Sequence, residues 1–307
     1  MQQSFQRCWQ ADIKGGMPFM ELIAQSRGKS AWGKFFAVML CIAIMEVYYR
    51  FMELSQHLTG MLAGNGSELE QMTLKEFFYT VCALCIAFIC GRTPADLFGS
   101  KKGRLYTQRR KYAAVLLAIQ MTGAFIFRSV MLCQKYTVRT LRPFGEIVLF
   151  SVYMLLIGIS EEVIFRGVIS ESMKNIFRDT NKGAVISGIL FGIMHLINLR
   201  VAEPMGVAVQ AINAAAAGIM LADIYYYTGT LRTSIILHAA VDFGGLLGFG
   251  LYGLGSLSSV ISDYTPIMAL PALLYMVMRI GLCKVMNMFI GQQRKRRNSY
   301  DGSQCGY

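Results

Sequence analysis

Residues 159–166 combine two adjacent carboxylates and an arginine at the end of a long apolar run. Glu161 and Glu162 follow the apolar segment 147–159, and Arg166 lies four residues after Glu162. A charged side chain at the centre of a bilayer costs about 2.5–3.5 kcal/mol even on the mildest scales. Two acids in such a segment therefore indicate a function for at least one of them. The competing interpretation is that both are solvated at the membrane interface.

The spacing of these charges separates the roles of the two acids. On a helix, Glu162 and Arg166 have the favoured order for an ion pair between residues i and i+4. Glu161 is turned by about 100° from Glu162, so its side chain points to a different neighbour. The sequence predicts one structural acid, Glu162, and one acid that is available for chemistry, Glu161.

Two of the three histidines also lie inside apolar segments. His195 follows Phe191 by four residues, and His238 precedes Asp242 by four residues. Each histidine alone is compatible with an ordinary hydrogen bond inside a helix bundle, but three separate segments each contain ionisable groups. We therefore predict that Glu161, His195 and His238 meet inside a membrane bundle and form a site that activates water.

The composition is that of a polytopic membrane protein. Hydrophobic residues make up 54% of the chain and charged residues 16%, whereas soluble domains carry about 25% charged residues. Basic loops that face the cytoplasm explain the net charge of +12 more simply than nucleic-acid binding does. The 307 residues accommodate about eight spans of ~20 residues. We expect an all-α bundle with a polar cavity inside the membrane.

Eight spans give one membrane domain over residues 35–290. A cytoplasmic leader over residues 1–34 precedes it, and a basic cytoplasmic tail over residues 291–307 follows. An acidic outer loop that includes Glu76 is expected after the first span. Both termini are then cytoplasmic, as the positive-inside rule favours. The predicted spans are 35–49, 77–90, 112–132, 145–165, 183–198, 206–227, 231–251 and 266–290.

Small residues dominate the sixth predicted span between Ala211 and Gly218. Small side chains let helices approach closely in lipid, so this span should be central and tightly packed. Gln210 and Asn213 lie on the same span. They either hydrogen-bond to substrate or catalytic groups, or make ordinary bonds between helices.

The three motifs together resemble the CAAX-protease and bacteriocin-processing (CPBP, or Abi) family of intramembrane proteases. The family's motifs are Glu-Glu-x-x-x-Arg, Phe-x-x-x-His and His-x-x-x-Asn/Asp, each on its own span. They match Glu161, Glu162, Arg166, Phe191, His195, His238 and Asp242. The matching region covers about residues 145–245. The last position is more often Asn in the prenyl-protease branch, which leaves open whether Asp242 donates a hydrogen bond or only orients His238.

The resemblance implies hydrolysis of a peptide bond within the membrane. In that scheme Glu161, helped by His195, activates water as a general base. His238, with Asp242, stabilises the developing oxyanion. The protein is then a glutamate-dependent, CAAX-prenyl-protease-like hydrolase that acts on a short peptide or a lipid-anchored protein.

The glutamate–water scheme requires no cofactor, and we expect none. The alternative is metalloprotease-like, because Glu161, His195 and His238 are a legitimate zinc-ligand set with an open fourth position. Glu162 and Arg166 brace the site in either scheme.

The rival class is non-catalytic: a membrane scaffold or regulator of the same fold, such as in bacteriocin self-immunity. A small-solute transporter is disfavoured because no inverted-repeat pattern is visible. The family's distribution and the compact loops favour a bacterial cytoplasmic membrane. The expected partners are the peptide or lipid-anchored protein substrate and membrane lipids, without nucleic acid.

Overall fold

The computed structural model describes residues 31–62, 66–99, 140–253 and 255–281, together with positions 119, 122, 123, 126 and 130. Within these ranges every regular element is helical, and no strand occurs, as the all-α expectation requires. The helices are α1 Ala31–Leu62, α2 Glu68–Ile89, α3 Pro94–Phe98, α4 Phe144–Glu162, α5 Glu171–Phe177, α6 Thr180–Met194, α7 Pro204–Thr228, α8 Leu231–Gly245, α9 Leu247–Tyr252, α10 Leu257–Ser262 and α11 Pro266–Gly281. A π-helical segment, Val163–Ser170, joins α4 to α5, and a 3-10 segment, His195–Arg200, follows α6.

Four of the described helical segments are long and apolar enough to cross a bilayer. They are Glu68–Ile89, Phe144–Phe177, Thr180–Arg200 and Pro204–Thr228. The predicted count of eight spans is not confirmed. The seventh predicted span is interrupted at Leu246, between α8 and α9. The leader up to residue 30, most of the third predicted span and the basic tail lie outside the described residues.

The predicted acidic loop after the first span is wrong in its extent. α1 continues to Leu62, and α2 already begins at Glu68. Ser67 and Glu70 form a reciprocal capping box, which satisfies backbone N–H groups at the start of α2. Glu76 therefore belongs to α2, and its side chain is buried.

The acid pair lies in the middle of a long helical rod and not at the end of a span. The rod Phe144–Phe177 contains 34 residues, which corresponds to about 50 Å. The predicted end of the fourth span near residue 165 is therefore wrong. Every residue of the π-helical segment is buried, and the Ser187 hydroxyl donates a 2.8 Å hydrogen bond to the Phe165 carbonyl inside it. Such segments are frequent at functional sites.

Small residues bring α6 and α7 into direct backbone contact. A Cβ atom added at Gly188 would lie 2.6 Å from the Ile219 nitrogen, and one at Gly192 would lie 2.7 Å from the Ala211 oxygen. Larger side chains therefore do not fit between these helices. The tight packing predicted for the sixth span is confirmed, and it fixes the end of α6, where His195 lies.

A second close approach brings α8 against α4. Gly229 ends α7 in the left-handed conformation with φ 71°, which glycine adopts without strain. The Thr230 side chain then caps α8, so this helix starts at once. A Cβ atom at Gly158 of α4 would lie 2.9 Å from the Ile235 oxygen of α8. His238, one turn further along α8, is thereby placed beside the acid pair.

Candidate active site

His238 lies among carboxylates contributed by α4 and α8. Its Nδ1 atom is 2.8 Å from Glu162 Oε1. Its Nε2 atom is 3.4 Å from Glu161 Oε2 and 3.3 Å from Asp242 Oδ2. The His238 side chain is 6% exposed, so the imidazole is almost fully enclosed. Glu162 was expected only to pair with Arg166, and the structure adds a direct contact with His238.

The three carboxylates around His238 differ in exposure. The Glu162 side chain is fully buried, whereas the side chains of Glu161 and Asp242 are 15% and 29% exposed. Only Glu161 and Asp242 can therefore face an incoming molecule. Their distances to Nε2 exceed the 2.7–3.2 Å range of a good N–H···O hydrogen bond. Such loose contacts are common in active sites before substrate binds.

Arg166 supplies the counter-charge for Glu162. Its Nη1 atom lies 2.8 Å from Glu162 Oε1, and both side chains are fully buried. Its Nη2 atom donates a 3.2 Å hydrogen bond to the Gly218 carbonyl, and the guanidinium lies 4.7 Å from the centre of the Phe191 ring. The Nη1 contact lacks the angle of a hydrogen bond, and among the described residues Nη1, Nε and Glu162 Oε2 form none. Arg166 therefore acts mainly through its charge.

Phe191 brings the two histidines to one aromatic ring. Its ring centre is 4.8 Å from that of His195 and 5.6 Å from that of His238, and both contacts are edge-to-face. His195 Nδ1 lies 2.8 Å from the Phe191 carbonyl. A carbonyl oxygen only accepts hydrogen bonds, so Nδ1 donates and Nε2 carries the lone pair of the neutral ring. The structure thus places the residues of all three motifs together, while their catalytic roles stay predictions.

Gln210 and Asn213 have different environments. Gln210 Oε1 accepts a 2.8 Å hydrogen bond from Asn198 Nδ2, which holds the 3-10 segment His195–Arg200 against α7. This is the ordinary interhelical bond that the sequence left as one alternative. Asn213 Nδ2 is buried and forms no hydrogen bond within the described part of the chain. A buried donor of this kind suits a group that binds a ligand, and its role in substrate binding stays a prediction.

Residues of α1 and α2 also surround Glu161, which the sequence did not predict. Glu76 Oε1 accepts a 2.7 Å hydrogen bond from the Ser160 hydroxyl. Tyr48 of α1 and Tyr79 of α2 stack on the same side of the site, with their ring centres 3.9 Å apart. The only available signal was the position of Glu76, directly before the apolar segment that starts at residue 77.

The described side chains do not form the set of ligands that the zinc alternative requires. Among the described residues, no three His, Cys, Asp or Glu side chains form a cluster that could hold a metal ion. The rings of His195 and His238 both pack edge-to-face with Phe191. The expectation that no cofactor is needed stays a prediction.

One comparison with known proteins bears on this site. The family model described as type II CAAX prenyl endopeptidase Rce1-like matches residues 143–244, which is about a third of the chain. The matched segment starts at the beginning of α4, ends within α8 and contains all the motif residues. It confirms the resemblance that the three motifs indicated. No match to this chain is found among curated proteins. The family and the four apolar helices together support an integral membrane protein of the protease class.

Proposed function

We propose, from the match of residues 143–244 to a prenyl endopeptidase family, that this protein is an intramembrane endopeptidase. It hydrolyses a peptide bond with a water molecule that Glu161 and His195 activate. The family supplies the hydrolase class, and the side chains of this chain suggest how the reaction proceeds.

The main support for this mechanism is the arrangement of charged side chains around His238. The buried Glu162–Arg166 pair holds the Nδ1 side of the imidazole. The Nε2 side faces Glu161 and Asp242, the two acids that are partly exposed. The Nδ1 side of the ring is therefore held by buried protein groups, and the Nε2 side faces the carboxylates that a substrate can reach.

Glu161 accepts a proton from water while the water oxygen bonds to the carbonyl carbon of the substrate. His238 donates a hydrogen bond to the oxygen that becomes negative in this step. The Asp242 carboxylate stabilises the positive charge of the imidazolium. The carbon–nitrogen bond then breaks, and the proton on Glu161 passes to the leaving nitrogen. The other water proton stays on the acyl oxygen, so the products are a carboxylic acid and an amine. His195 assists by accepting a hydrogen bond from the water at Nε2.

The position of Glu161 constrains the substrate. It lies near the middle of the rod Phe144–Phe177, which is longer than the hydrocarbon thickness of a bilayer. The scissile bond must therefore reach the interior of the helix bundle. This favours a short peptide or the terminal segment of a membrane-associated protein, including a lipid-anchored one.

The decisive experiment measures cleavage of quenched peptides, with and without a lipidated cysteine, by protein purified in detergent. Wild type is compared with Glu161→Gln and His195→Ala. Glu146→Gln is the matched control, because Glu146 lies on the same helix and pairs with Arg142 far from the site. We expect cleavage by wild type and Glu146→Gln, and none by the other two variants. EDTA is added in parallel, and inhibition by it would restore the zinc alternative.

The non-catalytic alternative predicts a different pattern. A scaffold or bacteriocin self-immunity protein of this fold keeps its cellular phenotype when Glu161 is replaced by Gln. Folded Glu161→Gln protein that retains the phenotype, together with wild type that cleaves no peptide, would refute the enzyme proposal.

A further inference from the structure

Glu76 lies outside the segment that matches the family, yet its carboxyl belongs to the same polar cluster. It is on α2 and is only 8% exposed. Its Oε1 atom accepts the hydrogen bond of Ser160, which is fully buried and directly precedes Glu161. A buried carboxyl in a membrane-length helix is costly, so its presence indicates a function.

The Ser160 hydroxyl has a competing acceptor on its own helix. It also lies 3.1 Å from the Ile157 carbonyl, the local bond that helical serines commonly form. The shorter 2.7 Å bond to Glu76 draws it across to α2. Serine or threonine at position 76 has too short a side chain for this bond. A long side chain that ends in an acceptor oxygen is required.

The bond between Ser160 and Glu76 fixes the rotation of α4 about its axis next to Glu161. Ser160 and Glu161 are about 100° apart around the helix. Turning α4 about its axis therefore moves Glu161 relative to His238, which is now 3.4 Å away. The α-helical hydrogen-bond pattern of α4 ends at Glu162, and the π-helical segment starts at Val163, two residues after Glu161. The bond to α2 supplies the missing restraint.

We propose that Glu76 is a positioning residue: its carboxyl oxygen holds Ser160 and so keeps Glu161 within reach of His238. The proposal rests on the proposed function for its kinetic consequence, but not for its structural one. Glu76 acts through Ser160 and does not touch the substrate.

The kinetic test compares variants that do and do not keep the acceptor. Glu76→Ala and Ser160→Ala remove the bond, and we expect kcat to fall about 100-fold, the effect of misplacing a catalytic group by about 1 Å. KM should stay unchanged, because neither residue reaches the substrate. Glu76→Gln should stay near wild type, since its amide oxygen still accepts. If Glu76→Ala does not fold, Ser160→Ala still tests the loss of this hydrogen bond.

Thr80→Val is the matched control, because it removes a different hydrogen bond between α2 and α4. The Thr80 hydroxyl donates a 3.1 Å hydrogen bond to the Leu156 carbonyl, which also joins α2 to α4. Both partners are displaced by four residues from Glu76 and Ser160. Loss of this bond should leave kcat near the wild-type value. An equal fall in kcat for Thr80→Val would show that any α2–α4 bond matters, and would overturn the proposal.

A second readout does not depend on activity. The chain has only three histidines, so NMR spectra of protein labelled at histidine contain few imidazole signals, and His238→Gln assigns one of them. We expect the His238 signal to shift in Glu76→Ala and Ser160→Ala, and to stay in place in Glu76→Gln and Thr80→Val. If wild type cleaves no peptide, the proposed function fails, while these spectra still decide the positioning role. An unmoved His238 signal in both alanine variants, or Glu76→Gln behaving as Glu76→Ala, would overturn it.

Discussion

Replacing Arg166 by leucine tests whether the site depends on a buried counter-charge. Arg166 contacts a glutamate, a carbonyl and an aromatic ring, and its side chain is fully buried. Arg142 has the same kinds of partner: Glu146, the Phe249 carbonyl and the Phe249 ring. Its side chain, however, is 23% exposed. The two arginines therefore differ chiefly in burial, which makes Arg142→Leu a close control.

The expected magnitudes follow from that difference. Removing one partner of a buried ion pair costs about 3–5 kcal/mol, because the remaining charge is left uncompensated. A partly exposed pair with a cation–π contact contributes only about 1–2 kcal/mol. Arg166→Leu should therefore lower the free energy of unfolding by about 2 kcal/mol more than Arg142→Leu does.

Equilibrium unfolding by SDS in mixed micelles, followed by far-UV circular dichroism, measures this difference. Adding Glu162→Gln to Arg166→Leu removes the carboxylate that has lost its arginine partner, and should recover much of the lost stability. Equal losses for the two arginine variants would refute the argument from burial. A double variant that is less stable than Arg166→Leu alone would refute it as well.

Two further predictions concern the packing that assembles the site. Gly158→Val forces α8 away from α4, so it should lower stability by about 1–3 kcal/mol and abolish most peptide cleavage. Gly145→Ala, on the same helix with open space around it, is the control and should leave cleavage unchanged in the same assay. Phe191→Leu removes the ring against which both histidines pack, and we expect kcat to fall while the protein stays folded by circular dichroism. Unchanged kcat in this variant would show that the ring does not orient the imidazoles.

Contacts within one helix were accessible from the sequence. The i,i+4 spacing predicted that Glu162 would pair with Arg166, and that Asp242 would lie beside His238. A helix places residues four apart on the same face whatever surrounds it, so these pairs follow from spacing alone. The run of small residues likewise predicted close packing of the sixth span, because close approach of helices requires small side chains.

Contacts between helices were not accessible in the same way. The bond between Glu162 and His238 and the bond between Glu76 and Ser160 each join residues more than 70 positions apart. They depend on how far each helix is rotated and on where neighbouring backbones touch. Glu76 was misplaced in a loop because its acidic neighbours masked the capping signal at Ser67.

The sequence by itself determined the helical membrane character, the three motifs and the pairing of charges along each helix. These properties depend on composition and on the helical repeat, which act locally. Only the tertiary structure decided that Glu162 supports His238, that Phe191 serves both histidines and that α2 reaches the site. Such contacts depend on where two helices approach closely, as α4 and α8 do at Gly158. The spacing of residues along one helix does not determine how that helix is rotated against its neighbour or how far away the neighbour lies.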